Sequence, residues 1–72
     1  MTVVLSRKAN AAELRKLRAA WKVCDAAKLW MLAQAIGRSA GYVSEGLQRP
    51  GRLTLEDLEK MWAVIEQHGG KR

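Results

Sequence analysis

The twenty residues Leu29 to Gln48, LWMLAQAIGRSAGYVSEGLQ, decide how the chain folds. Leu29, Leu32, Ala33 and Ile36 recur at i, i+3, i+4 and i+7, the spacing of one apolar helix face. Gly37 follows at once, and glycine at a helix end supplies a left-handed backbone that other residues adopt only at a cost. Ser39 stands where an N-cap is wanted, because its hydroxyl accepts a bond from an orphan amide of the next turn. A second short helix is expected from about Ala40 to Gln48, with Val43 and Leu47 on its buried side. The stretch reads as two short helices joined by a tight turn, and Ala33 is the small side chain that lets them cross closely.

Leu32-Ala33, Ile36-Gly37, Ser39 and Val43-Ser44 have the spacing of the helix-turn-helix in phage Cro and repressor proteins and their bacterial relatives. The segment 29–48 resembles that motif, and the helix on each side resembles the family more loosely. The resemblance implies an all-α fold, a compact domain of four to five helices built around the motif, like the lambda repressor. It implies a transcriptional regulator of phage or bacterial repressor type that binds double-stranded DNA in a sequence-specific way. The helix at about 39–48 would enter the major groove. Its outer face would carry Ser39, Ala40, Gly41, Ser44, Glu45 and Gln48. Of these, Gln48 suits adenine, Glu45 can accept from cytosine N4, and Ser44 can do either. Lys28, Arg38, Tyr42, Arg49 and Arg52 are the expected phosphate contacts.

Three positions depart from the family pattern. Arg38 stands where a Val or Ile is usually buried, so its guanidinium is expected to leave the core. Leu29 replaces a Gln that often touches a phosphate. Gly46 stands where a hydrophobic residue normally packs. Gly41 and Gly46 each cost a short helix roughly 1 kcal/mol against Ala. Tertiary contacts or a partner must therefore hold that helix.

A chain of 72 residues is one domain. At this size only about 60% of the unfolded surface is buried, so the core is marginal. Hydrophobic residues make up 49%, too many for a disordered tail. Thirteen Lys and Arg against seven Asp and Glu leave a charge of +6, which points to a polyanionic partner or to a merely soluble basic protein. Cys24 is the only cysteine, so no internal disulfide forms, and it reads as a small buried hydrophobe in a reducing compartment. The opening residues lack the apolar core of a signal peptide. No apolar run approaches the ~20 residues of a membrane span. The expected location is the cytoplasm of a bacterial or phage-infected cell.

Chemistry is not expected. His68 is the only histidine and falls at a helix end. No Cys and His cluster has metal spacing. No nucleophile has a base and an orienting group, and no glycine loop has a phosphate-binding pattern. The chain reads as a non-enzyme with no cofactor, metal or small-molecule ligand.

Residues 1–9 read as an arm. Val3, Val4 and Leu5 either pack on the core or make a short strand, and Arg7 and Lys8 then reach a phosphate or a minor groove. Residues 10–70 make the DNA-binding domain. Asn10 and Glu13 form a capping box at the start of the first helix. Leu14, Leu17, Trp21 and Cys24 are its buried stripe. Arg15, Arg18 and Lys22 line up beside it, as a solvated face or a second contact with nucleic acid. Asp25 is placed to cap the next helix from near Ala26. Pro50 ends the helix before it, and Arg49 and Arg52 flank the turn. Thr54 caps the last helix, whose inward stripe is Leu55, Leu58, Trp62 and Ile65. The expected core is Leu14, Leu17, Trp21, Leu29, Leu32, Ala33, Ile36, Val43, Leu47, Leu55, Leu58, Trp62 and Ile65.

One short reading helix rarely supplies specific affinity, so a homodimer is expected. Trp30, Met61, Val64 and the Val3-Val4-Leu5 arm are its candidate surfaces; Met61 and Val64 either make that contact or widen the buried face of the last helix. The alternative to DNA is a protein-interaction module, an antirepressor or assembly adaptor, that uses the same corner to bind an acidic protein partner.

Overall fold

The computed structural model describes residues 6–72, which form four α-helices: α1 Ala11–Lys22, α2 Leu29–Ile36, α3 Ala40–Gln48 and α4 Leu55–Gln67. Val3, Val4 and Leu5 lie outside the described residues. Among those described there is no strand, only a single antiparallel bridge between Lys8 and Thr54. The amide of Ala9 donates to the Leu53 carbonyl at 2.8 Å, and the amide of Leu55 donates to the Arg7 carbonyl at 3.0 Å. Arg7–Ala9 is thus fastened to the segment that leads into α4.

α1 and α4 start as their sequences require. The Asn10 side chain takes the Glu13 amide at 2.9 Å, and the Glu13 carboxylate takes the Asn10 amide at 2.9 Å. Thr54 and Asp57 make the same reciprocal pair at 3.2 Å each. Each box satisfies two amides that the helix itself leaves orphaned. At the far end of α4 the Gly70 amide reaches back to the Ile65 carbonyl at 2.8 Å, across Gly69 at φ +93°. α2 closes in the same way. Gly37 is left-handed at φ +70°, and the Arg38 amide bonds the Ala33 carbonyl at 3.0 Å. Any residue with a Cβ is strained at such a φ.

The start of α2 differs from expectation. Asp25 caps no helix; α2 begins at Leu29, with Lys28 as N-cap and no side-chain capping bond. Residues between the helices fold back instead. The Ala27 amide bonds the Cys24 carbonyl at 3.2 Å, and the Ala27 carbonyl takes the Trp21 indole N–H at 2.7 Å. Ala27 is buried by this turn, and a helix starting near Ala26 would undo it.

The core centres on Leu14, Leu17, Leu32, Val43, Leu47, Leu53, Leu58, Met61 and Ile65. Each such side chain contributes about 1.5–3 kcal/mol by leaving water. Ala33 and Trp62 are buried as expected. Trp21, Leu29, Ile36 and Leu55 are half-buried and pack against the core from its edge. Ala9, Ala27 and Leu53 are buried without having been expected there. α4 packs on both α1 and α2, which is why its buried face is wide enough to take in Met61. Met61 is 0% exposed, so it cannot serve a dimer surface. Val64 is half-buried against the core.

Leu53 answers the question that Gly46 raises. Both are buried, and a Cβ built on Gly46 would lie 2.8 Å from the Leu53 Cγ. The side chain missing from α3 is replaced by one that the next loop supplies.

Candidate nucleic-acid interface

Three residues of α3, Val43, Gly46 and Leu47, face the core. That leaves Ser39, Ala40, Gly41, Glu45 and Gln48 exposed and Ser44 half-exposed. All six residues expected to read bases therefore share the solvent side of one helix or its cap. The Ser39 hydroxyl accepts the Tyr42 amide at 3.1 Å, so its oxygen already has a structural task at the start of α3.

The cations around α3 are organised by Tyr42. The Arg38 guanidinium lies over the Tyr42 ring, 5.1 Å from its centroid, a contact worth about 0.5–1 kcal/mol when exposed. The Tyr42 hydroxyl donates to the Arg52 carbonyl at 3.2 Å, tying the loop after α3 to the helix. The Arg52 side chain in turn pairs with Glu45 at 3.2 Å, with both groups largely exposed. Arg52 is therefore shared between any external anion and an acid on α3. Tyr42 thus acts as a strut between α3 and the loop that follows it. Arg38, Arg49 and Lys28 have no ion-pair partner among the described residues. Arg49 has an extended backbone at φ −129° and ψ 125°, as the residue before a proline should.

Charge is divided between regions. Arg15, Lys16, Arg18 and Lys22 on α1 also lack ion-pair partners among the described residues. By contrast Glu56, Asp57, Glu59 and Glu66 gather on α4. Lys60 pairs with Glu56 at 3.5 Å, and Arg72 pairs with Glu59 at 2.8 Å and Glu66 at 3.6 Å. The hydrogen bond from Arg72 holds the Glu59 carboxyl below its ordinary pKa. Arg7, expected to be free for nucleic acid, instead bonds Glu13 at 2.9 Å. Glu13 is held below its ordinary pKa, first by the Asn10 amide and then by Arg7.

Sequence reasoning found the exposed face of α3 but missed the Glu45–Arg52 pair and the Tyr42 strut. Arg38 precedes the Ser39 cap and lies outside α3, so its contact with Tyr42 depends on the turn and no helical spacing signals it. The link from residue 42 to residue 52 depends on the path of a loop and has no local signature.

No group of His, Cys, Asp and Glu among the described residues is arranged to hold a metal ion. No helix among them is long and apolar enough to cross a membrane. Trp30, a candidate dimer contact, is 59% exposed. Comparison with protein families, with curated proteins and with solved structures gives no match.

Proposed function

We propose that α2, its turn and α3 act as a helix-turn-helix that binds double-stranded DNA, in a transcriptional regulator of repressor type. The observation that carries this reading is the solvent face of α3. It carries Ser39, Ser44, Glu45 and Gln48 beside the small Ala40 and Gly41, and is bracketed by Arg38 and Arg49, two cations with no ion-pair partner among the described residues. In this reading α3 lies in the major groove. Ser44, Glu45 and Gln48 meet base edges, while Arg38, Arg49 and Lys28 hold phosphates. Two copies on half-sites about 34 Å apart would supply the affinity that one short helix lacks. Trp30 is one exposed apolar side chain among the described residues that could make that contact.

Competition titrations at two salt concentrations, on duplexes selected from random sequence and on unrelated duplexes, test it. Arg38→Ala and Arg49→Ala are each expected to weaken binding to every sequence alike, with a salt slope shallower by roughly 0.9. Ser44→Ala and Gln48→Ala should leave unrelated DNA nearly unaffected and cost about 1–3 kcal/mol of discrimination at one or two base pairs. Glu45→Ala removes an acid from this face and releases Arg52, so affinity for all DNA should rise. If all these variants stay folded and bind DNA as the parent does, the corner serves protein recognition, as an adaptor or antirepressor would, and the DNA reading falls.

A further inference from the structure

α1 and α2 follow each other in the chain, yet they do not pack on each other; each packs instead on α3 and α4. Between the end of α1 and the start of α2 lies an open groove of about 470 Å³. Trp21, Ala27 and Leu29 supply its apolar lining. The Trp21 indole N–H is already committed to the Ala27 carbonyl at 2.7 Å, so it offers a visitor no donor. Arg18, Lys22 and Lys28 also line the groove, against one acid, Asp25. None of these cations has an ion-pair partner among the described residues. The exposed large hydrophobics of the described chain, Val23 at 81% and Trp30 at 59%, belong to the same stretch of sequence.

We propose that this groove docks an acidic segment of a partner protein, which places an apolar side chain on Trp21 and Leu29 and its carboxylates against Arg18, Lys22 and Lys28. Charge complementarity selects that occupant. Three cations suit a polyanion, but a nucleic-acid backbone has nothing to place on the apolar lining of Trp21, Ala27 and Leu29. A peptide that alternates acids with an apolar anchor satisfies both the rim and the floor. The inference shares Lys28 with the reading of α3 but does not rest on it, because the variants used to test it leave Lys28 and α3 untouched.

Two synthetic peptides test it: one of glutamates around a central pair of leucines, the other all glutamate. They are titrated into the isotope-labelled full chain by nuclear magnetic resonance. The leucine peptide should shift the signals of Trp21, Ala27 and Leu29 and bind about tenfold more tightly than its all-glutamate counterpart. Arg18→Gln with Lys22→Glu should weaken it by a similar factor, with the melting curve followed to confirm folding. If that pair unfolds the chain, Lys22→Glu alone replaces it, since Lys22 is exposed and lines the groove; a loss in the same direction is expected. Equal binding of the two peptides would overturn the proposal by reducing it to diffuse attraction. So would groove shifts caused by a short DNA duplex, which would make this a phosphate-holding surface. Groove shifts that grow with protein concentration alone would assign it to a second copy of the chain. Groove shifts on Val4→Ser alone would assign it to the chain's own amino-terminal residues. Either result also overturns it.

Discussion

α1 and α4 differ from α2 and α3 in how they are started and held. The outer pair run for 12 and 13 residues, and each opens on a reciprocal capping box. The inner pair run for 8 and 9 residues. α2 opens on Lys28 with no side-chain cap, and α3 opens on Ser39 with Tyr42 at the position where an acid would reach back. Isolated helices this short do not persist in water. Local capping fixes where α1 and α4 begin, whereas α2 and α3 rely more on what packs on them. The lesson is that α3 depends on the loop that follows it. Leu53 lies under Gly46, and Tyr42 bonds the Arg52 carbonyl.

The sharpest way to break this contrast is Leu53→Ala. It leaves a cavity beneath a helix face that has no side chain of its own, and should cost about 2–5 kcal/mol. Chemical denaturation checks it, and α3 signals should broaden before those of α1. Next is Gly46→Ala. Helix propensity favours the change by about 1 kcal/mol, but the new methyl group must displace the buried Leu53, and overpacking costs about 1–3 kcal/mol. A net loss is expected. In the Leu53→Ala background the sign should reverse, because the methyl then enters a void. A loss that persists there would mean that Leu53 is not the obstacle.

Lys28→Asp sharpens the comparison from the other side. Lys28 already has the extended backbone of an N-cap, φ −89° and ψ 157°. An aspartate there should add about 1 kcal/mol to stability by capping α2. If Lys28 holds phosphate, the same change lowers DNA affinity, and the two measurements move in opposite directions. Gly41→Ala is smaller still. Nothing lies within 4 Å of the added Cβ, so a gain of about 0.5 kcal/mol is expected in the denaturation midpoint.

The smallest effect is that of acid on the box of α1. The Glu13 pKa is lowered in the fold from its ordinary 4.5. A group depressed on folding adds stability that is complete above its unfolded pKa and is lost as pH falls through the folded one. A Glu13→Gln variant, whose amide keeps a weaker cap, should match the parent more closely as pH drops below 4.5 than at neutral pH. A difference that stays constant across that range would remove Glu13 from the acid response.

What the sequence made legible follows the same division. Asn10, Glu13 and Thr54 are local signals, and the helices they open begin where expected. Gly37 and Ser39 mark the turn between α2 and α3 for the same reason. The start of α2 was not legible, because Asp25 has the chemistry of a cap while Ala27 is needed elsewhere, under the Trp21 indole. Leu53 was not legible as core, since a lone leucine between Arg52 and Thr54 has no periodic partner. Met61 admitted two readings on periodicity alone, and contact of α4 with two other helices decides between them. At the candidate site, the outward face of α3 could be read from helical spacing. The partner of each cation could not, because Glu45 and Arg52 meet only through the turn at Pro50 and Gly51.

The bonds between Arg7–Ala9 and Leu53–Leu55 also set the order in which amide hydrogens leave the protein. An amide exchanges with solvent only when its bond opens. The Ala9 and Leu55 amides join segments far apart in the sequence, and Ala9 is 2% exposed. Their release requires Arg7–Ala9 to part from Leu53–Leu55. The Tyr42 amide is held by a serine hydroxyl on an exposed turn, and a local opening is enough to release it. Slow exchange therefore belongs to the amino-terminal staple and fast exchange to the first turn of α3. The first turn of α3 is expected to open without the rest of the molecule.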